Sequence, residues 1–254
     1  TMIRVGLFGF GKTGKMVAKE LLQDDLIELV WVMRRNVISE EKYASRLIGI
    51  NENKGMIISK ERLTHSFYEE YPVDVIIDFS DASAYKNYAI PASKGIKIIS
   101  AISHYSPKAL EYIKDLSHQT AIIYSPNITL GINFLMVISQ ILQKIAPNAD
   151  IEIVEEHFRE KKGISGTACK MAQILGLDEE RHVNSIRVGG IVGKHQVIFG
   201  LQNQTIRLIH ESISGAAFGK GAIFAAKWIV NKQKGYFSME QIFSDMIQQN
   251  IPVY

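Results

Sequence analysis

The sequence predicts an α/β protein in two parts: a parallel-sheet domain, then an α+β domain with a mixed sheet. Three observations carry this. Apolar strands alternate with helical segments up to residue 124, the texture changes after Pro126, and a strand-rich block fills 185–213. Taken in order, Ile3 to Phe8 reads as a strand. Lys12 to Gln23 is a helix with Met16, Val17, Leu21 and Leu22 inward, and Leu26 to Met33 is a second strand. "VDVIIDF" (73–79) is a buried strand, followed by a helix over 83–94 that stops at Gly95. Strand 96–100, helix 108–117 and strand 120–124 repeat the unit, as right-handed crossovers of a parallel sheet require. The second part opens with a helix over 131–146 and the strand "DIEIVEEH" (150–157). A helix over 168–175 and a hairpin turning at Gln202-Asn203 follow. Helices over 219–231 and 238–247 complete the chain.

The 254 residues are 46% hydrophobic and 22% charged, enough to bury one large or two ordinary cores. A formal charge of +3, with basic residues scattered, forms no nucleic-acid stripe; a mildly basic enzyme for acidic substrates fits better. Apolar runs such as 121–124 are too short to cross a bilayer, so no membrane partner is expected. No basic, apolar and small-residue leader stands at the N-terminus, and Cys169 is the single cysteine. A cytoplasmic protein without intrachain disulfides or a metal site is therefore expected.

"LFGFGKTGKMV" spaces Gly9, Gly11 and Gly14 as G-x-G-x-x-G between a strand and a helix, the context a dinucleotide-binding, Rossmann-type domain requires. Gly9 permits the tight turn, Gly11 lets backbone approach a pyrophosphate, and Gly14 allows close helix–strand packing. The helix N-terminus adds N–H donors and positive dipole. Where NAD-selective chains carry an acidic residue, the second strand ends in Met33, Arg34, Arg35 and Asn36. Paired guanidinium groups favour a 2′-phosphate, so NADPH is the expected cofactor, with NADH as the alternative.

The stretch "EEHFREKKGISGTACKMA" (155–172) crowds His157, Arg159, Lys161 and Lys162 ahead of a small-residue run that opens a helix. Helix-start N–H groups, hydroxyls and a nearby ammonium make a carboxylate receptor. His157 is the candidate proton donor, Arg159 and Lys162 read as solvated charges, and Cys169 as a structural thiol.

Together with the glycine loop, "VDVIIDFSDASA" (73–84), "SPNITLGIN" (125–133), "IEIVEEHFREKKGISGTACKMA" (151–172) and "SIRVGGIVGKHQVIF" (185–199) resemble the dihydrodipicolinate reductase family over nearly the whole chain. The resemblance implies a nucleotide domain of 1–126 with 216–254. It also implies a substrate and oligomerisation domain of 127–215, and a homotetramer. It puts His157 in the general-acid position and Lys161 in that of the lysine assisting proton donation and binding substrate. Ser165, Gly166 and Thr167 fall on the loop that holds a substrate carboxylate. Cofactor contacts are implied at Gly9, Gly11, Lys12, Thr13, Gly14, Arg34, Arg35, Phe79, Ser80, Ser100, Ala101, Ser125 and Asn127. The implied reaction is NAD(P)H-dependent reduction of dihydrodipicolinate, a small dicarboxylate, in the diaminopimelate route to lysine. The chain departs from the family pattern at Phe158, where a second histidine is usual. It also departs at Gly163-Ile164, at "SAISHY" (100–105), and at Gly215 or Ala216 near "SGAAF", in place of an arginine. Those departures keep two alternatives in play: a same-fold reductase of another small imine or oxo acid, and a non-catalytic dinucleotide-binding sensor.

Overall fold

The computed structural model describes residues 2–35 and 41–252. In chain order the first elements are β1 (Ile3–Phe8), α1 (Lys12–Leu22), β2 (Ile27–Met33), α2 (Ala44–Leu47), β3 (Met56–Ile58), α3 (His65–Glu70), β4 (Val75–Asp78), α4 (Ala89–Ser93), β5 (Lys97–Ser100), α5 (Pro107–Leu116) and β6 (Ala121–Tyr124). There follow α6 (Leu130–Ile145), β7 (Asp150–His157), α7 (Gly166–Leu175), α8 (Glu179–His182), β8 (Val183–Arg187), β9 (Gly193–Leu201), β10 (Gln204–Ser212), α9 (Ala216–Ile229), β11 (Gly235–Phe237) and α10 (Met239–Gln249). Two compact units form: Thr1–Ile128 with Phe218–Met239, and Thr129–Ala217 with Glu240–Tyr254. The sequence boundaries grouped 1–126 with 216–254; here 127–128 fall in the first unit, and 216–217 and 240–252 in the second.

The first unit is built on a seven-stranded sheet of order β11-β6-β5-β4-β1-β2-β3, every neighbouring pair parallel. Its central strands read as unbroken apolar runs because both faces are covered: Val5, Leu7, Val32, Ile76, Ile77, Ile98, Ile99, Ile122 and Ile123 are all buried. From β1 the chain winds outward through β2 and β3, and from β4 it winds the other way. The order therefore reverses between β1 and β4, whose carboxyl ends flank the crevice where open α/β sheets take ligands. The expected helix over 83–94 is instead a 3₁₀ turn, Ala84–Asn87, and then α4. Pro91 explains the break, since its ring excludes the carbonyl four residues earlier, at Asn87.

The second unit carries a four-stranded sheet of order β10-β9-β7-β8, with β7–β8 parallel and the other pairs antiparallel. The hairpin turns at Gln202-Asn203, as expected, with Asn203 at φ +68°. One face packs Ile151, Ile153, Val197 and Phe199 against Leu135 and Met136 of α6 and Met171 and Leu175 of α7. Toward the carboxyl end of β7 that buried face turns polar. Glu155 and His157 continue the alternation of Ile151 and Ile153, while His195 continues that of Val197 and Phe199. Among the described residues, no helix is long and apolar enough to cross a membrane.

Candidate functional site

In the first unit the glycine loop joins the end of β1 to α1. Gly9 has φ +95°, and a Cβ there would press on the Phe79–Ser80 backbone at 2.8 Å. A Cβ on Gly14 would collide with the Gly9 carbonyl, whereas one on Gly11 would meet nothing. Gly11 is the N-cap of α1, and no side chain caps the helix, so its positive end is open to an anion.

Two cavities border this loop. One, of about 550 Å³, is lined by Gly9, Phe10, Gly11, Arg34, Arg35, Lys60, Phe79, Ser80 and Asp81, among others. The other, of about 350 Å³, is lined by Thr13, Phe79, Ser80, Ala101, Ile102, Ser103, His104, Pro126 and Phe218, among others. Gly9, Gly11, Thr13, Arg34, Arg35, Phe79, Ser80 and Ala101 thus border open volume. Ser100 and Ser125 line neither cavity and are buried, with Ser125 Oγ donating to the Asn127 carbonyl at 3.0 Å. Lys12 is exposed in the first turn of α1. Asn36 lies outside the described residues.

Arg35 pairs with Asp81 at 2.6 Å, leaving Arg34 and the unanticipated Lys60 as further cations around the larger cavity. Hydrogen bonds from Ser83 and Arg35 hold the Asp81 carboxyl at about 2. The fit to a dinucleotide is good: a helix start open to an anion, with cations around the larger cavity and a second cavity beside it. Beneath the loop, Asp78 is fully buried and accepts from Ser80 N (2.8 Å), Ser80 Oγ (2.6 Å) and Tyr88 Oη (2.5 Å). Burial outweighs these bonds and raises its carboxyl to about 6.

The second unit gathers a cluster of ionisable residues around Glu155. Glu155 is buried at the centre of a fan of donors. Its Oε2 lies 2.5 Å from His157 Nδ1 and accepts from Arg187 Nη1 at 2.8 Å. Its Oε1 accepts from Arg187 Nη2 (2.5 Å), Ser185 Oγ (2.7 Å) and Ser165 N (3.2 Å). Strand pairing builds this fan, because Ser185, Glu155 and His195 are register partners across β8, β7 and β9, and Arg187 is opposite His157. Burial alone would raise the Glu155 carboxyl, but the donors outweigh it and hold it at about 2. Glu155 is held as a carboxylate, and it accepts a hydrogen bond from His157 Nδ1, which leaves Nε2 as the imidazole nitrogen not engaged by it. Burial lowers the His157 pKa, Glu155 opposes this, and the charges of Lys161 and Arg187 add to the lowering. A Cβ on Gly193 would lie 3.0 Å from Nε2, so the glycine clears space beside that atom.

The loop after β7 brings the remaining candidates close. Arg187 Nε donates to the Lys161 carbonyl at 3.0 Å and Nη2 to the Gly163 carbonyl at 2.6 Å, which ties the loop to the sheet. Ser165 is buried at the N-cap of α7, Gly166 is exposed and Thr167 half-buried in its first turn, and the Ser165 side chain does not cap the helix. Arg159 and Lys162 are exposed, as expected of solvated charges. Cys169 is partly buried, and burial with its Glu179 hydrogen bond pushes the thiol up to about 11, which suits an inert thiol. Glu155, Ser185, Arg187 and His195 were not singled out from sequence. A carboxylate two residues before a candidate histidine on one strand was the available signal for Glu155.

Comparison with known proteins bears on both halves of this arrangement. A family model described as "Dihydrodipicolinate reductase, N-terminus" matches residues 3–128, and one described as "Dihydrodipicolinate reductase, C-terminus" matches 131–243. The 4-hydroxy-tetrahydrodipicolinate reductase of Aquifex aeolicus is 30% identical over 93% of this chain and 97% of its own. That of Caldanaerobacter subterraneus is 31% identical over 95% and 98%. A solved structure, dipicolinate-bound dihydrodipicolinate reductase from Paenisporosarcina sp. TG-14, shares the fold with a TM-score of 0.78 at 21% identity, covering 93% of this chain and 98% of that one. A glycine-loop unit followed in order by a unit carrying the His157 strand, each matched by its own half of one family and together spanning nearly the whole chain, shows that the chain belongs to the dihydrodipicolinate reductase family.

Proposed function

We propose that this chain catalyses the NAD(P)H-dependent step from 4-hydroxy-tetrahydrodipicolinate to tetrahydrodipicolinate in the diaminopimelate route to lysine: loss of water gives dihydrodipicolinate, which a hydride and a proton then reduce. The observation that carries the reading is the buried Glu155–His157 pair beside a helix N-terminus that its own N-cap serine leaves uncapped by its side chain. The cofactor, when bound, supplies a hydride. Everything else falls to this chain's own groups. Arg34, Arg35 and Lys60 surround the larger cavity, so NADPH is the preferred donor, and the amides opening α1 hold the pyrophosphate. The amides of Gly166 and Thr167, the hydroxyls of Ser165 and Thr167 and the Lys161 ammonium grip a substrate carboxylate. An anion beside His157 raises that imidazole's pKa, so binding a dicarboxylate favours the protonated ring. Glu155 then keeps the Nδ1 proton engaged while Nε2 gives up its own to the substrate, with Lys161 assisting.

In this reading the protein is cytoplasmic, and the exposed apolar Ile186, Val188, Val192 and Ile209 of the second unit support assembly as a homotetramer. The test is oxidation of NADPH by the purified chain, given freshly generated substrate. Turnover is expected; no substrate-dependent oxidation by protein that binds NADPH would overturn the reading.

A further inference from the structure

We propose that His195 is a positioning residue of the carboxylate receptor: it holds the Ser165 hydroxyl off the first turn of α7, so that the substrate caps this helix. The inference rests on the receptor reading above and deepens it. A serine at an N-cap ordinarily accepts a hydrogen bond from an amide two or three residues further on. Ser165 has the extended N-cap backbone, φ −62° and ψ 129°, yet its side chain makes no such bond. Instead its Oγ lies 2.9 Å from His195 Nε2.

Both residues are buried, Ser165 at 3% and His195 at 5% exposure, so water hardly competes for this bond. The tautomer follows from the other ring nitrogen. His195 Nδ1 is buried and has no partner, and a proton there would be a donor with nothing to receive it. The proton belongs on Nε2, which donates it to Ser165 Oγ. The serine's own O–H is then free for an anionic ligand, and Ser165 does not cap its own helix.

The sheet makes this arrangement reproducible. Glu155 and His195 are register partners on β7 and β9, and Glu155 holds the Ser165 amide while His195 holds its hydroxyl. Ser165 is gripped at both ends by one cross-strand pair. The His195 and His157 rings also meet edge-on, with centroids 5.2 Å apart, so the residue that sets the receptor adjoins the proton donor.

The test titrates pyridine-2,6-dicarboxylate onto the NADPH-bound full chain and onto His195→Phe, His195→Gln, Ser165→Ala and the His195→Phe/Ser165→Ala double variant. His195→Phe frees the serine to cap its own helix and should weaken the probe about tenfold, the worth of a hydrogen bond to a charged group. KM should rise by a similar factor, with a smaller effect on kcat. His195→Gln, which offers an N–H near the position of Nε2, should recover most of the affinity. With Ser165 already alanine, His195→Phe should add less than about twofold, because the hydroxyl it releases is gone. A merely structural histidine predicts the same loss in both backgrounds. Equal losses, an unaffected His195→Phe, or no recovery with glutamine would overturn the inference. Failure of the parent chain to bind the probe would instead remove the receptor reading, and this inference with it.

Discussion

Replacing Glu155 by glutamine keeps the side chain's size and removes its charge. The structure gives the cost. Five donors converge on the carboxylate, two of them from Arg187 in bidentate geometry. Glutamine would turn an amide NH₂ toward at least one of them and leave the guanidinium without its counter-charge. The folded carboxyl sits at about 2 against an ordinary 4.5, which corresponds to roughly 3 kcal/mol at neutral pH. Removing one partner of a buried ion pair costs about 3–5 kcal/mol, in agreement. Because the folded pKa is depressed, this stability is complete above about 4.5 and disappears as pH falls toward about 2. Denaturant unfolding of Glu155→Gln at pH 7 should therefore show the loss, and unfolding near pH 3 much less of it. In kinetics, His157 would lose the acceptor that fixes its tautomer, and kcat should fall by about 10²–10⁴ while NADPH affinity holds. A variant with parental kcat, or with the same destabilisation at both pH values, would refute the positioning role of Glu155.

His157→Gln should lower kcat by about 10²–10⁴ without changing the dissociation constant for NADPH measured by fluorescence titration. Arg34→Ala/Arg35→Ala, and separately Lys60→Met, should each weaken NADPH about tenfold and NADH far less, as the proposed charge-assisted contacts to a 2′-phosphate require. Because Asp81 already engages Arg35, the Arg34 single variant should account for most of the double variant's effect in the same titration. Gly193→Ala sets a methyl 3.0 Å from His157 Nε2 and should cost about 10–10²-fold in kcat with NADPH binding intact. Asp78 has the opposite linkage to Glu155: its folded carboxyl is raised to about 6, so its cost is full above that pH and relieved as pH falls toward 3.8. Asp78→Asn should accordingly abolish the part of the stability difference between pH 8 and pH 5 that this carboxyl causes, read from denaturant unfolding at both.

The parallel core was legible because its strands are buried on both faces and read as apolar runs bounded by turn residues. The glycine loop declared itself by spacing and context together. The three-residue strands β3 and β11 did not. "MII" and "GYF" have no periodicity to detect, and each is a strand only because a neighbour offers an open edge: Trp31 to Met33 of β2 for one, Ala121 to Ile123 of β6 for the other. The broken helix at Pro91 was readable in principle, since a proline eight residues into an expected helix is a stop signal.

The site divides the same way. His157, Lys161 and Ser165 to Thr167 lie in one short stretch and could be read together. Arg187 and His195 lie about thirty or more residues away in sequence and reach the site through register, which composition and spacing do not encode. What the sequence does contain is a contradiction of pattern. The buried positions of β7 run Ile151, Ile153, Glu155, His157, and those of β9 run Gly193, His195, Val197, Phe199. Charged and imidazole side chains on an apolar face are costly unless they partner one another. Two strands whose polar breaks can be aligned by pairing therefore specify both a register and a buried polar cluster. Slipping β9 by one residue would send His195 to the outer face and leave Glu155 opposite Lys194 or Gln196. The requirement that Glu155 be satisfied thus helps fix the sheet that supplies its partners, so in this unit the polar site contributes to specifying the fold as well as resting on it.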